Sequence, residues 1–120
     1  MKIITASLIG AALDWAVAKC LNVKGLKISN GFPIVPMEEF HRSVHYSQSW
    51  AEGGPIIERE KIRLVPFPPE REKEGWWAGA NYGASGESRG NEGQTPLIAA
   101  MRCFVASKLG DEVEVPEGLV

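Results

Sequence analysis

Apolar side chains recur at helical spacing in two stretches of the chain and alternate with polar ones in a third. Leu8, Ala12, Trp15, Ala16 and Cys20 fall at three- and four-residue steps. A first helix is therefore expected up to about Leu21, capped by Thr5 or Ser7 and ended by Asn22 and Gly25. Ala11, Ala12, Ala16 and Ala18 keep it slim enough for close packing. A second helix is expected over Leu97 to Leu109, opened by Thr95-Pro96 and stopped at Gly110. Glu112-Val113-Glu114-Val115-Pro116 then alternates like a short strand.

The middle of the chain is punctuated by turn formers. Leu26 to Pro36 reads as extended or looped, with Asn30-Gly31 as a turn and Pro33 and Pro36 blocking helix. Met37 to Ser49 shows no clear period. Ser49 to Glu52 reads as a short helical turn broken at Gly53-Gly54, and Pro55 then opens a second short helix through Lys61. Ile62 to Phe67 predicts a strand, Pro68 to Glu74 a charged surface loop, and Trp76-Trp77-Ala78 a short strand. Gly79 to Gly93 predicts a glycine-rich loop that feeds the last helix. The fold class is α+β: two main helices plus one or two short helices packed on a small antiparallel sheet of three or four strands.

Length and composition narrow this picture. A chain of 120 residues is one domain by size, with a modest core and little left for a deep active site. Thirteen basic against fifteen acidic side chains give a net charge of −2, which argues against a non-specific nucleic-acid binder. Cys20 and Cys103 lie among apolar residues without any zinc spacing, so two buried thiols fit better than a disulfide. The N-terminal segment is interrupted by Asp14 and Lys19 and matches neither a signal peptide nor a membrane span.

Three blocks of sequence carry a resemblance. They are Gly10-Ala11-Ala12-Leu13-Asp14-Trp15-Ala16-Val17-Ala18-Lys19, Gly53-Gly54-Pro55-Ile56-Ile57-Glu58-Arg59-Glu60, and Thr95 to Arg102 continuing through Lys108 to Val113. In this order they resemble the NinX-like family of small bacteriophage proteins, a domain of unknown function. The resemblance implies an accessory, non-structural phage protein made in the host bacterial cytoplasm. It carries over no catalytic residues, and it does not reach Asn22 to Tyr46 or Pro68 to Asn91.

Candidate chemistry is sparse. Trp50, Trp76 and Trp77 lie near glycines or loops and Tyr82 lies inside the glycine-rich segment, so they offer stacking surfaces for a planar ligand. The competing reading is that they fill a small core. Adjacent Trp76 and Trp77 point to opposite faces if extended, so at most one belongs to the main core. Arg59, Arg89 and Arg102 are phosphate-type forks, and Thr95 opens a helix whose N-terminal amides favour anions. Against this, Arg59 stands between Glu58 and Glu60, and Arg102 within an apolar helix needs a partner such as Asp14. The glycine-rich segment lacks the P-loop ending and the GxGxxG pattern. It suits a lid over a ligand or a subunit contact, or else a surface insertion. His41 and His45 do not form HExxH, no nucleophile elbow is present, and Glu58 and Glu60 do not face each other on a helix.

The resulting expectation is a non-enzymatic binding protein without cofactor or metal. It would form a homo-oligomer and sequester a small anionic, nucleotide-like ligand such as a cyclic nucleotide or ADP-ribose derivative that serves as a host immune signal. The anti-defence role comes by analogy from the phage setting. The expected ligand-binding set is Trp50, Arg59, Trp76, Trp77, Tyr82, Arg89, Thr95 and Arg102. The alternative is a protein–protein adaptor or inhibitor anchored by the tryptophans. Membrane association is not expected, and nucleic acid is a weak third choice.

Overall fold

The computed structural model describes residues 1–37, 40–81 and 88–119, apart from the side chains of 80, 81, 88 and 89. In chain order the elements are β1 (Lys2–Ile4), a 3-10 turn (Thr5–Ser7), α1 (Gly10–Cys20), β2 (Lys27–Ser29), β3 (Phe32–Pro36) and β4 (His41–Ser43). They continue with α2 (Trp50–Glu60), β5 (Arg63–Pro66), β6 (Trp76–Asn81), β7 (Ser88–Gly93), α3 (Pro96–Leu109) and β8 (Glu112–Glu114). Among the described residues this is an α+β fold of three helices and three small antiparallel sheets, with strand orders β1-β8, β2-β3-β4 and β5-β6-β7.

The last helix is the axis of the core. Thr95 Oγ1 accepts the Ile98 N–H at 3.1 Å, Pro96 fills the first turn, and Gly110 at φ 86° stops the helix. Leu97, Ala99, Ala100, Met101, Cys103, Phe104, Val105 and Ala106 are all buried, so α3 is covered on nearly every side. Leu13, Ala16 and Val17 of α1 join that core, as do Ile56 of α2 and Ala78 of β6. Small residues set the spacing. A Cβ on Gly93 would come within 2.5 Å of the Ala99 amide nitrogen, so β7 runs against the first turn of α3 only because position 93 has no side chain.

Several expectations hold. Asn30 and Gly31, at φ 52° and 83°, make the two-residue hairpin turn between β2 and β3. Asn22 and Gly25 take left-handed conformations just beyond α1. Trp76 packs against the core while Trp77 lies on the opposite face of its sheet, the division that adjacent positions in a strand require.

Others are corrected. α1 begins only at Gly10, so its N-cap position falls on Ile9, which has no side-chain acceptor, while Thr5 lies in the preceding 3-10 turn and its hydroxyl donates to the Gly110 carbonyl at 2.6 Å. Burial on α1 also extends beyond the expected stripe, to Leu13, Asp14, Val17 and Ala18. α2 is one continuous helix through Gly53, Gly54 and Pro55. Pro55 is exposed, as is Ala51 one turn before it, so the proline ring and the carbonyl it leaves unbonded both lie on the outer side of the helix. Gly53 is there for contact: a Cβ would overlap the Tyr46 carbonyl and sit 2.7 Å from Leu97 Cδ2. The glycine-rich segment is largely strand. Gly79 lies in β6, Gly90 and Gly93 lie in β7, and residues 82–87 of the expected lid lie outside the described residues. The small sheet is three sheets, and β1 pairs with β8 through Ile3 and Val113.

Candidate functional site

The β7 strand is an edge of its sheet and borders two adjoining open clefts. One, of about 550 Å³, runs between Ala6 and Ile9 on one side and Phe67, Lys73 and Glu74 on the other, with residues 90–94 along its floor and Arg102 in its wall. The second, of about 510 Å³, shares Ala6, Gly90 and Asn91 and extends toward Ile4 and Asp111.

Arg102 reaches this edge from beneath the sheet. Its Nε donates to the Leu8 carbonyl and one terminal nitrogen donates to the Glu92 carbonyl, both at 2.8 Å. The guanidinium thereby ties α3 to the segment before α1 and to the edge of β7. Burial lowers its pKa, and no carboxylate pairs with it among the described residues. A guanidinium has five N–H donors, and two carbonyl bonds leave the rest for water or a ligand in the cleft. The anticipated partnership with Asp14 does not form. That carboxylate is buried in another seam, accepting the Ser47 N–H at 2.8 Å. Burial raises the Asp14 pKa, opposed by its hydrogen bonding with Ser47 and the nearby His45. The buried Ser47 hydroxyl stands beside the same carboxylate without a well-aligned hydrogen bond.

The other expected site residues scatter. Trp50 is exposed at the start of α2. Arg59 pairs with Glu60 at 3.0 Å, and its guanidinium lies 5.8 Å from the centre of the Phe104 ring. Phe104 stands about 200° around α3 from Arg102, so the two arginines serve different sides of that helix. Trp76 is a core residue. Arg89 lies in β7 opposite Ala80, and its side chain is outside the described residues, as is Tyr82 altogether.

At the N-terminus of α3 most of the amides that an anion would meet are already engaged. Pro96 has no N–H, the Ile98 amide bonds to Thr95 Oγ1, and the Ala99 amide bonds to the Thr95 carbonyl at 3.0 Å. Thr95 is a helix cap, and the cation facing the cleft is Arg102, two turns further on.

Sequence reasoning missed Lys73, Asn91 and Gln94, which line the larger cleft. Nothing in their spacing marks them, since they meet only because β7 is an edge strand. His41 is exposed in β4, Glu38 and Glu39 beside it lie outside the described residues, and among the described residues no group of three His, Cys, Asp or Glu could hold a metal ion. Burial raises the Cys20 thiol pKa to about 12, which leaves it an unreactive small hydrophobe. No described helix is long and apolar enough to cross a membrane.

The fold defines a small α+β protein with an open cleft along an edge strand. A crystal structure of a phage protein from Bacillus cereus ATCC 14579 shares the fold, with a TM-score of 0.52 at 13% sequence identity over 84% of this chain and 90% of that one. The family model described as Bacteriophage P22, NinX matches residues 4–108, and the chain belongs to that family. No curated protein matches it.

Proposed function

We propose that this protein is a non-enzymatic binder that captures a small anionic ligand in the cleft beside β7, with Arg102 as its principal cation. The observation that carries this reading is the Arg102 guanidinium, half-buried, held by two backbone carbonyls, and facing a cleft with no carboxylate bound to it among the described residues. A charge withdrawn from water without a counter-ion is a standing attraction for one. Lys73 adds a second cation at the rim, while Glu74 and Glu92 border the same cleft and favour a ligand with polar as well as anionic groups. Glu92 is itself engaged by Arg71 at 3.0 Å, which tempers its repulsion.

The phage setting makes a nucleotide-type host immune signal the ligand class to try first, with capture rather than turnover as the outcome and a homo-oligomer as the working form. Native mass spectrometry with a panel of cyclic di- and trinucleotides and ADP-ribose isomers tests this. A stoichiometric adduct, with the ligand recovered unchanged after heating, is expected from one of them. An unmodified spectrum and an unshifted Tm with all of them would end the proposal.

One observation favours a second reading, a protein-binding adaptor. Trp50 is 55% exposed at the start of α2, and tryptophan is among the residues that most often anchor protein interfaces. Trp76 drops out of that reading because it packs inward.

A further inference from the structure

The ring of Trp77 lies flat on its own sheet. Trp77 and Gly79 share the outer face of β6, and Gly79 is paired with Gly90 of β7. A Cβ built on Gly79 would collide with the six-membered ring of Trp77, and one built on Gly90 would collide with the indole nitrogen and Cε2. One side of the indole therefore rests across two neighbouring glycines, in the space that two side chains would otherwise fill. The other side faces away from the sheet, and the residue as a whole is only partly buried.

Two further observations say what that free side meets. Gly90, under the nitrogen end of the ring, also lines both clefts beside β7. Because it has no side chain, nothing at position 90 stands between the indole and the cleft that Arg102 walls. Arg63 is paired with Gly79 on the same outer face, is exposed, and has no acidic partner among the described residues. Trp77 is flanked on that face by Val65 and by Glu92, whose carboxylate Arg71 engages, and the aromatic surface thus has Arg63 diagonal to it and adjoins the cleft that Arg102 walls.

We propose that the outer face of Trp77 is the stacking platform for the planar ring of a ligand whose anionic group sits at Arg102, a ligand of the nucleotide class folded over the β7 edge at Gly90. The proposal rests on the reading of the cleft as an anion site and adds the ring to it. Stacking on an indole is tolerant of base identity, because every base presents a π-face, so this platform favours nucleotides over other anions without choosing strongly among bases. The competing role for Trp77 is to shield the backbone of two glycines within a sheet. That role needs apolar cover and nothing planar.

Isothermal titration with AMP and with ribose 5-phosphate separates these. Trp77→Leu keeps apolar cover over Gly79 and Gly90 but removes the flat ring. Its affinity for AMP is expected to fall roughly tenfold or more, with ribose 5-phosphate unaffected. Arg102→Gln is expected to weaken both. If Trp77→Leu leaves AMP binding unchanged, or weakens both ligands by the same factor, the platform is overturned while the anion cleft stands. If Arg102→Gln changes neither ligand but Trp77→Leu still weakens AMP, the cleft reading fails and the platform survives without it. If the wild-type protein takes up neither ligand, both are wrong. Should Trp77→Leu not fold, the Trp77 indole N–H resonance of the wild-type protein gives the answer, assigned through Trp77→Phe. It is expected to shift with AMP and to stay in place with ribose 5-phosphate, and a resonance indifferent to AMP overturns the proposal.

Discussion

Asp14 and Arg102 each lack an ion-pair partner among the described residues, and they do so in different settings. Asp14 is sealed between α1 and the turn before α2, 2% exposed, its carboxylate accepting the Ser47 amide. Arg102 is bound just as closely to backbone, through the Leu8 and Glu92 carbonyls, yet its guanidinium forms the wall of an open cleft. Both are hydrogen-bonded to peptide groups. The difference is access. A sealed charge can only hold the structure together, whereas a charge with donors left over and a path to solvent can also hold something else. The same distinction separates Arg102 from Arg59, which is satisfied on the surface by Glu60.

The sealed region breaks most easily where it is most tightly packed. Gly53→Ala puts a methyl group onto the Tyr46 carbonyl and against Leu97, pushing α2 away from the turn that carries Ser47. Overpacking of this kind costs about 2–3 kcal/mol, which outweighs the roughly 1 kcal/mol that alanine gains as a helix former. Gly54→Ala is the internal control. Its Cβ meets nothing nearer than Trp50 Cε3 at 4.0 Å, so the helix-propensity gain of up to about 1 kcal/mol is expected to appear as added stability. Urea denaturation of the two variants checks both signs. Two adjacent glycines with the same effect would mean that α2 is not held where the turn requires it.

Asp14→Ala is the next largest. It leaves the buried Ser47 N–H without an acceptor, for a loss of about 2 kcal/mol in the same denaturation measurement. Arg102→Met keeps most of the apolar stem and removes both carbonyl bonds. Because water from the cleft can reach the freed carbonyls, its stability cost is expected to be smaller, about 1 kcal/mol. A loss at Arg102 equal to that at Asp14, with nucleotide binding unchanged, would make Arg102 another structural charge and erase the contrast.

The scaffolding of this contrast was legible in the sequence to different degrees. Thr95-Pro96 and Gly110 announce α3 because caps act locally, and the Asn30-Gly31 turn follows from left-handed backbone at both positions. Trp76 and Trp77 divide between faces because a strand permits nothing else. Gly79, Gly90 and Gly93 misled, since glycine signals a loop when only backbone freedom is considered. Here each of the three lacks a Cβ because another group occupies its place: the Trp77 ring over 79 and 90, the first turn of α3 against 93. Such tertiary demands leave no local trace, and neither does the break predicted at Gly53-Gly54-Pro55, where contact with Tyr46 and Leu97 explains the first glycine. At the site, Arg102 was identifiable as a polar residue within an apolar helix, but its partners were not. Leu8 and Glu92 contribute carbonyls, which any residue could have supplied.

The smallest effect sharpens the comparison by pH. Burial raises the folded-state pKa of Asp14 above its ordinary 3.8, so folding disfavours its ionised form. For an acid shifted in that direction, the native state binds its proton more tightly than the unfolded chain does, and its contribution to stability falls as pH rises through the window between 3.8 and the raised folded value. Acidification into that window therefore returns stability at this position. Asp14→Asn keeps an oxygen to accept the Ser47 amide and removes the charge, so at neutral pH it is expected to lie within about 1 kcal/mol of the wild type, on the stabilised side. The His45 and Glu52 side chains act on Asp14 with opposite signs, so neither alone accounts for the direction. The measurement is the stability difference between Asp14→Asn and wild type across mildly acidic pH. It should shrink as pH falls, because protonation makes the wild-type group neutral too. A difference that grows on acidification would mean that Asp14 is stabilised as an anion, and that its seam is open to charge or water in the way the cleft at Arg102 is.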